Sequence, residues 1–177
     1  MNIIHFDDMY QADYDLRHLF VYNQKWTNQP FFDRRNNIRQ TSALVFFRNC
    51  SATYVSDNDN VLYVKCGSLV YIPQGSQYIS YFYDCKPGTI HTQLLEFELR
   101  DNNGDVFSAT KQISILDSSG ANKYQEIFDE LIDIYYSPFF SCSLMKSRVY
   151  ELLYEISKIF HYRIIYSKSF MPIAKGI

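Results

Sequence analysis

The sequence has few of the motifs by which most enzymes and metal proteins are recognised. It contains neither a Gly-x-Gly-x-x-Gly nor a Gly-x-x-x-x-Gly-Lys loop for a nucleotide phosphate, and no Gly-x-Ser-x-Gly elbow for a nucleophilic serine. Its four histidines, His5, His18, His91 and His161, are scattered, and no two of them form a His-x-His pair. We therefore expect no catalytic residue, no metal and no cofactor, and a binding protein in place of an enzyme.

Other features are equally scarce, and each limits the compartment or the partners. The four cysteines, Cys50, Cys66, Cys85 and Cys142, form no Cys-x-x-Cys pair and no crowded disulfide framework, so we expect them to be reduced. The N-terminus has no basic region followed by an apolar one, and no run approaches about eighteen apolar residues. We expect a cytoplasmic protein with no membrane partner.

Charge and size define the class of protein further. A net charge of −2 does not suit a surface that neutralises phosphates, so this chain alone is not expected to bind nucleic acid. A length of 177 residues, 47% of them hydrophobic, is enough for one domain with a real core. The aromatic content of 18% has two interpretations, a pocket wall or interface, or a β-rich core with tyrosine hydroxyls at its rim.

Alternating β-branched and aromatic residues predict a β-barrel between residues 36 and 116. The predicted strands are Ser42–Arg48, Ala52–Ser56, Val61–Lys65, Ser68–Ile72, Gln77–Tyr83 and Ile90–Leu99, with a further one within Val106–Leu116. Residues 1–35 show no clear period and are interpreted as an irregular N-terminal arm. The predicted fold class is mainly β with C-terminal helices, an antiparallel barrel followed by a helical hairpin.

The period becomes helical in residues 117–161. One apolar stripe, Tyr124, Ile127, Phe128, Leu131 and Ile134, ends before Pro138. After Ser141 a second stripe consists of Met145, Val149, Leu152, Ile156 and Ile159. Its spacing of four, three, four, three is that of a coiled-coil seam, so the stripe either joins two copies of the chain or packs on its own barrel. Residues 162–177 are interpreted as a linker.

The segment Gly67-Ser-Leu-Val-Tyr-Ile-Pro73-Gln-Gly75-Ser-Gln-Tyr78 predicts two strands joined by a sharp corner. Proline presets φ, and glycine takes the positive φ that other residues resist. The spacing of this segment resembles the second signature of the cupin barrel, which normally ends in a metal-binding histidine. Here the final position is Tyr78. The resemblance therefore implies a cupin-like barrel, a jelly roll, that keeps a pocket and holds no metal.

Residues 36–177 as a whole resemble the N-terminal, effector-binding half of AraC-type transcription regulators. The carriers of this resemblance are Phe46-Phe-Arg48, the Gly67–Tyr78 corner, Leu94-Leu-Glu-Phe97, the pair of amphipathic helices, and Met171-Pro172-Ile173. The resemblance implies a barrel that binds a small effector, often a carbohydrate, and a second helix that forms a homodimer. DNA would be bound by a C-terminal helix-turn-helix region that this sequence lacks. We expect a sensor domain belonging to a longer regulator.

The candidate ligand-binding residues follow from the resemblance and from strand alternation. The resemblance places Arg48 at the effector, with Phe46 on the same face; the alternative is a salt-bridged or exposed arginine at the strand end. Alternation adds five inward-facing positions, Tyr78, Ser80, Thr92, Leu94 and Glu96. A carboxylate on this apolar strand needs a cationic or hydroxyl partner, which Arg48 or a bound ligand could supply for Glu96; an internal ion pair or solvent exposure is the alternative.

Two other function classes remain open from the sequence. One is a freestanding cupin, either a small-molecule carrier or a metal-free sugar isomerase with Tyr78 and Glu96 as acid and base. The other is a module that binds only proteins, with its barrel packed shut by its own aromatic residues. A cavity of about 300 Å³ or more would distinguish a ligand-binding barrel from this last class.

Overall fold

Two β-sheets face each other, and two helices cover the outer face of the larger sheet. The computed structural model describes residues 2–57, 60–119 and 121–169. The strands are β1 Asn2–Ile3, β2 Tyr14–Gln24, β3 Phe31–Asp33, β4 Ser42–Phe47, β5 Ser51–Ser56, β6 Val61–Val64, β7 Leu69–Ile72, β8 Tyr78–Tyr83, β9 Thr92–Asp101, β10 Val106–Ser108 and β11 Ser114–Asp117. The helices are α1 Ala121–Tyr136 and α2 Cys142–Ser169, and Met9–Gln11 forms a short 3-10 helix.

The larger sheet has the strand order β1-β10-β9-β4-β7-β11, with β2 paired to β9, and the smaller sheet has the order β3-β8-β5-β6. All of these pairs are antiparallel except β1 with β10. The predicted fold class, mainly β followed by a helical hairpin, is confirmed. The six strands predicted between residues 42 and 99 begin and end within two residues of the observed ones, whereas Val106–Leu116 divides into β10 and β11.

The Pro73–Gly75 corner carries the chain from the larger sheet to the smaller one. It follows β7 and precedes β8, and Gly75 has φ +81°. Within the corner, the Ser76 amide donates to the Pro73 carbonyl at 3.3 Å. The predicted tight corner is therefore confirmed.

The N-terminal segment differs from the predicted irregular arm, because β2 is an eleven-residue strand along the edge of β9. A β-bulge between Arg17 and Phe20 shifts the register, and His18 there has φ 53°. As a result the two buried residues of this strand, Leu16 and Val21, are five positions apart. The bulge breaks the period of two, which is why alternation did not reveal the strand.

Strand β4 separates the two cores of the molecule, and all six of its residues are buried. Ala43, Val45 and Phe47 pack between the sheets. Leu44 and Phe46 pack on the other side, under the helices. Residues two apart on a strand share a face, so each face of β4 belongs to a different core.

Helix α2 packs its apolar stripe on its own chain. Met145, Val149, Leu152 and Ile156 are each at most 2% exposed in the single chain, in the core shared with the larger sheet, and Ile159 is partly buried. The interpretation of this stripe as the seam of a homodimer is therefore wrong, and the alternative of packing on the barrel is correct. A heptad-like spacing shows which face of a helix is buried, but it does not show whether that face packs on a second helix or on the chain's own sheet.

The C-terminal part of α2 also departs from the prediction. The helix continues to Ser169 through most of the predicted 162–177 linker, because no proline or glycine interrupts residues 142–169. Met171-Pro172-Ile173 lie outside the described residues. Among the helices of the described residues, none combines the length and apolar character needed to cross a bilayer.

Candidate functional site

A small cavity of about 50 Å³ lies between the two sheets. Its wall combines buried aromatic and aliphatic side chains with several polar ones. The lining residues are Tyr22, Gln24, Phe32, Arg34, Arg39, Val45, Tyr54, Ile72, Tyr78, Ser80, Phe82 and Leu94. This volume is well below the roughly 300 Å³ that would have distinguished a ligand-binding barrel from a closed one, so that criterion is not met. The cavity has room for the head group of a ligand and not for a large one.

The Pro73–Gly75 corner holds the backbone of Arg39. The Gly75 amide donates to the Arg39 carbonyl at 2.9 Å, and the Arg39 amide donates to the Ser76 carbonyl at 3.3 Å. The side chain of Arg39 is 7% exposed. The same corner that joins the sheets thus places a guanidinium group in the cavity wall.

The Arg39 guanidinium forms a buried ion pair with Glu96. Its Nη2 donates to Glu96 Oε1 at 2.6 Å. The Tyr22 hydroxyl donates to the same oxygen at 3.3 Å, and Thr41 Oγ1 donates to Glu96 Oε2 at 3.5 Å. The expectation that Glu96 needs a cationic or hydroxyl partner is confirmed, but the cation is Arg39 and not Arg48.

Two of these groups have shifted pKa values. Burial by itself would lower the pKa of Arg39, but the Tyr78 phenol and the Glu96 carboxylate outweigh it and raise that pKa. Burial, helped by the Glu96 carboxylate, raises the pKa of Tyr22 to about 12. At neutral pH the cavity therefore contains the Arg39 cation and a neutral Tyr22 phenol.

Two arginines of the cavity keep hydrogen-bonding capacity. Arg39 Nε is buried and has no hydrogen-bond partner among the described residues. Arg34 lines the same cavity, is partly exposed, and has no carboxylate within salt-bridge distance among the described residues. A buried donor without an acceptor is costly, so Arg39 Nε marks a place where an acceptor from outside the chain fits.

The residues predicted from β8 and β9 lie at this cavity. Tyr78, Ser80 and Leu94 line it, as their predicted inward orientation requires. Thr92 lies beside it and donates through Oγ1 to Oε1 of the lining residue Gln24 at 2.7 Å. Together with Glu96, these positions occupy the expected face of their strands.

Phe46 and Arg48 lie on the opposite face, so their prediction as pocket residues is wrong. Phe46 stacks on Phe128 of α1 with ring centroids 6.1 Å apart. Arg48 Nη1 donates to Asp129 Oδ1 at 2.8 Å, which is the salt-bridged alternative. The phase of β4 could not be read from its sequence because both of its faces are apolar and buried.

The most informative residue of the site, Arg39, was not predicted from the sequence. It precedes β4 and meets Glu96 only because the sheet and the corner bring them together. The one available signal was the need of Glu96 for a cation, which does not say which of the arginines supplies it. Tyr22 was not predicted as a site residue either, because it lies in β2 after the bulge, where the alternation of the strand has changed phase.

The only tryptophan of the chain stands directly behind the cavity wall. The Trp26 ring lies 4.8 Å from the ring of Phe82 and 6.1 Å from that of Phe32, and both of these line the cavity. It also stacks on His91 at 5.3 Å with an interplanar angle of 8°. Its fluorescence can therefore report on occupancy of the cavity.

Two cavities next to the helices are larger than the one between the sheets. One of about 220 Å³ separates α1 from α2, and its Arg148 is paired with Glu130 at 2.8 Å and with Glu151 at 2.9 Å. The other, of about 430 Å³, lies where the 3-10 helix and the start of β2 meet α2. Neither contains a polar side chain as deeply buried as Arg39, so the barrel cavity is the stronger candidate site. Within the described residues, no three His, Cys, Asp or Glu side chains are grouped to hold a metal ion.

No protein-family model matches this chain, and no curated protein matches it significantly.

Proposed function

We propose that this chain is the effector-sensing domain of a cytoplasmic AraC-type transcription regulator, that it is not an enzyme, and that its barrel binds a small metabolite such as a sugar or a sugar derivative. The observation that carries this proposal is Arg39, which lines a cavity between two sheets and has a side chain that is 7% exposed. Within the part of the chain that the structure describes, its Nε has no hydrogen-bond partner. An arginine buried in this way offers a directed donor to a ligand oxygen. The tyrosines and phenylalanines around it offer apolar contact.

Strand β9 provides a route from the cavity to the helices. Leu94 on one face lines the cavity, while the next residue towards the N-terminus, Gln93, faces α1 and donates through Nε2 to Asp129 Oδ1 at 2.8 Å. Arg48 donates to the same oxygen at 2.8 Å. A ligand that moves β9 slightly would therefore shift α1 on the sheet, and would favour one arrangement of the helices over another.

The proposed regulator is a homodimer, and its dimer interface must differ from the apolar stripe of α2 that was expected from the sequence. The inner stripe of α2 is covered by its own barrel. The outer face exposes Leu144, Tyr154 and Tyr162, which leaves this face available to a second copy. DNA would be bound only by a helix-turn-helix domain following this chain in a longer protein.

A thermal-shift screen against sugars, uronic acids, amino sugars and common metabolites tests the proposal. A ligand at about one hundred times its Kd stabilises the native state by about 2.7 kcal/mol. For a chain of this size that corresponds to a rise in Tm of roughly 5 to 10 °C. Arg34→Gln should reduce the rise, and the neighbouring Arg35→Gln, which changes an exposed pair with Asp33, should not.

The cavity volume of about 50 Å³ favours a second candidate, a module whose barrel is closed and which binds only proteins. If no compound in the screen shifts Tm, this second candidate replaces the first. Turnover of a ligand that does bind would instead indicate the metal-free isomerase, although Glu96, its expected base, is paired with Arg39 and does not line the cavity.

A further inference from the structure

The charge balance of the barrel cavity suggests the chemical class of its ligand. Among the twelve lining residues two are arginines and none is acidic. Glu96 lies just behind the cavity wall, and its Oε1 forms a salt bridge with Arg39 Nη2 at 2.6 Å. The charge of Arg34 is left without a carboxylate among the described residues. Counted over the described residues, the cavity and its mouth therefore hold one uncompensated positive charge.

The hydrogen-bond balance points in the same direction. Arg39 Nε is a buried donor with no acceptor in the described ranges of the chain, and the side chain that carries it is 7% exposed. An acceptor oxygen there would satisfy this donor, and in a poorly solvated place a charged acceptor makes the stronger bond to a guanidinium. A neutral hydroxyl could accept this bond but would leave the charge of Arg34 unbalanced.

Size restricts the ligand further. The cavity of about 50 Å³ accommodates a few heavy atoms, enough for a carboxylate group but not for a complete hexose ring. The rest of a larger ligand would extend past Arg34 and Phe32, which are partly exposed.

We propose that the barrel binds its effector by a carboxylate group, which accepts hydrogen bonds from Arg39 Nε and from Arg34 while the remainder of the molecule lies at the cavity mouth. This inference rests on the proposed sensing function and names the class of its ligand, an organic monocarboxylate such as a small carboxylic or sugar acid. The Arg39–Glu96 pair keeps the guanidinium in place, and Arg34 supplies the net charge.

Titrations followed by Trp26 fluorescence test this proposal with matched pairs of compounds. The probes are acetate, propionate, lactate, benzoate and glucuronate, each against its primary amide at constant ionic strength, with L-arabinose and D-glucose as neutral polyols. We expect saturable binding of at least one carboxylate, at least tenfold tighter than its amide. We also expect a weaker affinity as chloride is raised.

The variants use Arg34 because its replacement leaves the Arg39–Glu96 pair intact. Arg34→Gln should weaken carboxylate binding at least fivefold. The control Arg35→Gln should change it less than twofold, because Arg35 is exposed, paired with Asp33, and absent from the cavity wall. Arg39→Gln should abolish binding, and circular dichroism will show whether that variant is folded.

Each other result counts against the inference in a distinguishable way. Equal binding of carboxylates and amides, or carboxylate binding that Arg34→Gln does not weaken, overturns the carboxylate assignment. Binding of a neutral sugar alone also overturns it but leaves the sensing function standing. If no probe of any kind binds, and the wider metabolite screen also gives no thermal shift, the proposed function fails together with its ligand class.

Discussion

The buried Arg39–Glu96 pair can be tested by a double-mutant cycle of Arg39→Gln and Glu96→Gln. The Arg39 side chain is 7% exposed and that of Glu96 is 26% exposed. Removing one partner of a fully buried pair costs about 3 to 5 kcal/mol, because the other charge is left uncompensated. The two single variants should differ, since the charge that each leaves behind is buried to a different degree.

Glu96→Gln leaves the more deeply buried charge, and we expect it to lower the free energy of unfolding by about 2 to 4 kcal/mol. Arg39→Gln leaves a carboxylate that is partly exposed and still accepts from Tyr22 and Thr41, so we expect a loss of about 1 to 2 kcal/mol. In the double variant both charges are absent, and the coupling energy should be about 2 kcal/mol.

Urea unfolding followed by Trp26 fluorescence and by circular dichroism measures all four corners of the cycle. A parallel cycle on the exposed Arg35–Asp33 pair serves as the control, and we expect no resolvable coupling there. A coupling energy near zero would show that Arg39 and Glu96 do not stabilise each other, and a larger loss for Arg39→Gln than for Glu96→Gln would show that the more deeply buried charge is not the costlier one to leave unpaired.

Three further predictions concern the corner, the helix and the tyrosines. Gly75→Ala should lower the free energy of unfolding in urea by about 1 to 2 kcal/mol, because φ is +81° there and an added Cβ would have no described atom within 4 Å. Gly75→Asn should lower it less, since asparagine tolerates a positive φ better than alanine does. Equal losses for the two variants would argue against a conformational cause. Leu152→Ala should lower the free energy of unfolding by about 2 to 5 kcal/mol at every protein concentration, whereas Tyr154→Ala on the outer face should lower it far less. A loss that becomes smaller as the protein concentration rises would indicate that Leu152 lies in a dimer interface after all. Burial raises the pKa of Tyr14 and of Tyr22 to about 12 in the folded chain from 10.0, so their contribution to stability is fully present below about pH 10 and is lost as pH rises towards 12. Tyr22→Phe should therefore lose less stability than the unaltered chain between about pH 9 and 11, and parallel stability profiles would contradict this.

What could be predicted from the sequence depended on whether its signal was local. The corner was predictable because proline and glycine determine the backbone at Pro73 and Gly75 themselves. Strands β5 to β9 were found because β-branched and aromatic residues alternate between turn signals. Strand β2 was missed because its bulge at His18 changes the phase of the pattern in the middle of the strand.

The errors at the site arose where a residue's environment depends on distant partners. The pocket face of β4 was assigned to Phe46 in place of Val45, since a strand buried on both sides has no polar face to define its phase. Arg39 was not recognised because it meets Glu96 across the sheet and not along the chain. The stripe of α2 gave the covered face correctly, but only the fold shows that the cover is the chain's own barrel.

Hydrogen–deuterium exchange shows whether a ligand in the barrel acts on the helices. Exchange would be measured by mass spectrometry with and without the compound that gives the largest thermal shift. We predict slower exchange in β8 and β9, where the cavity lies, together with a change in α1 around Asp129, which Gln93 and Arg48 tie to the barrel. Protection confined to the barrel with α1 unchanged would show that the ligand does not act on the helices, and no change in β8 and β9 at all would show that it does not bind in this cavity.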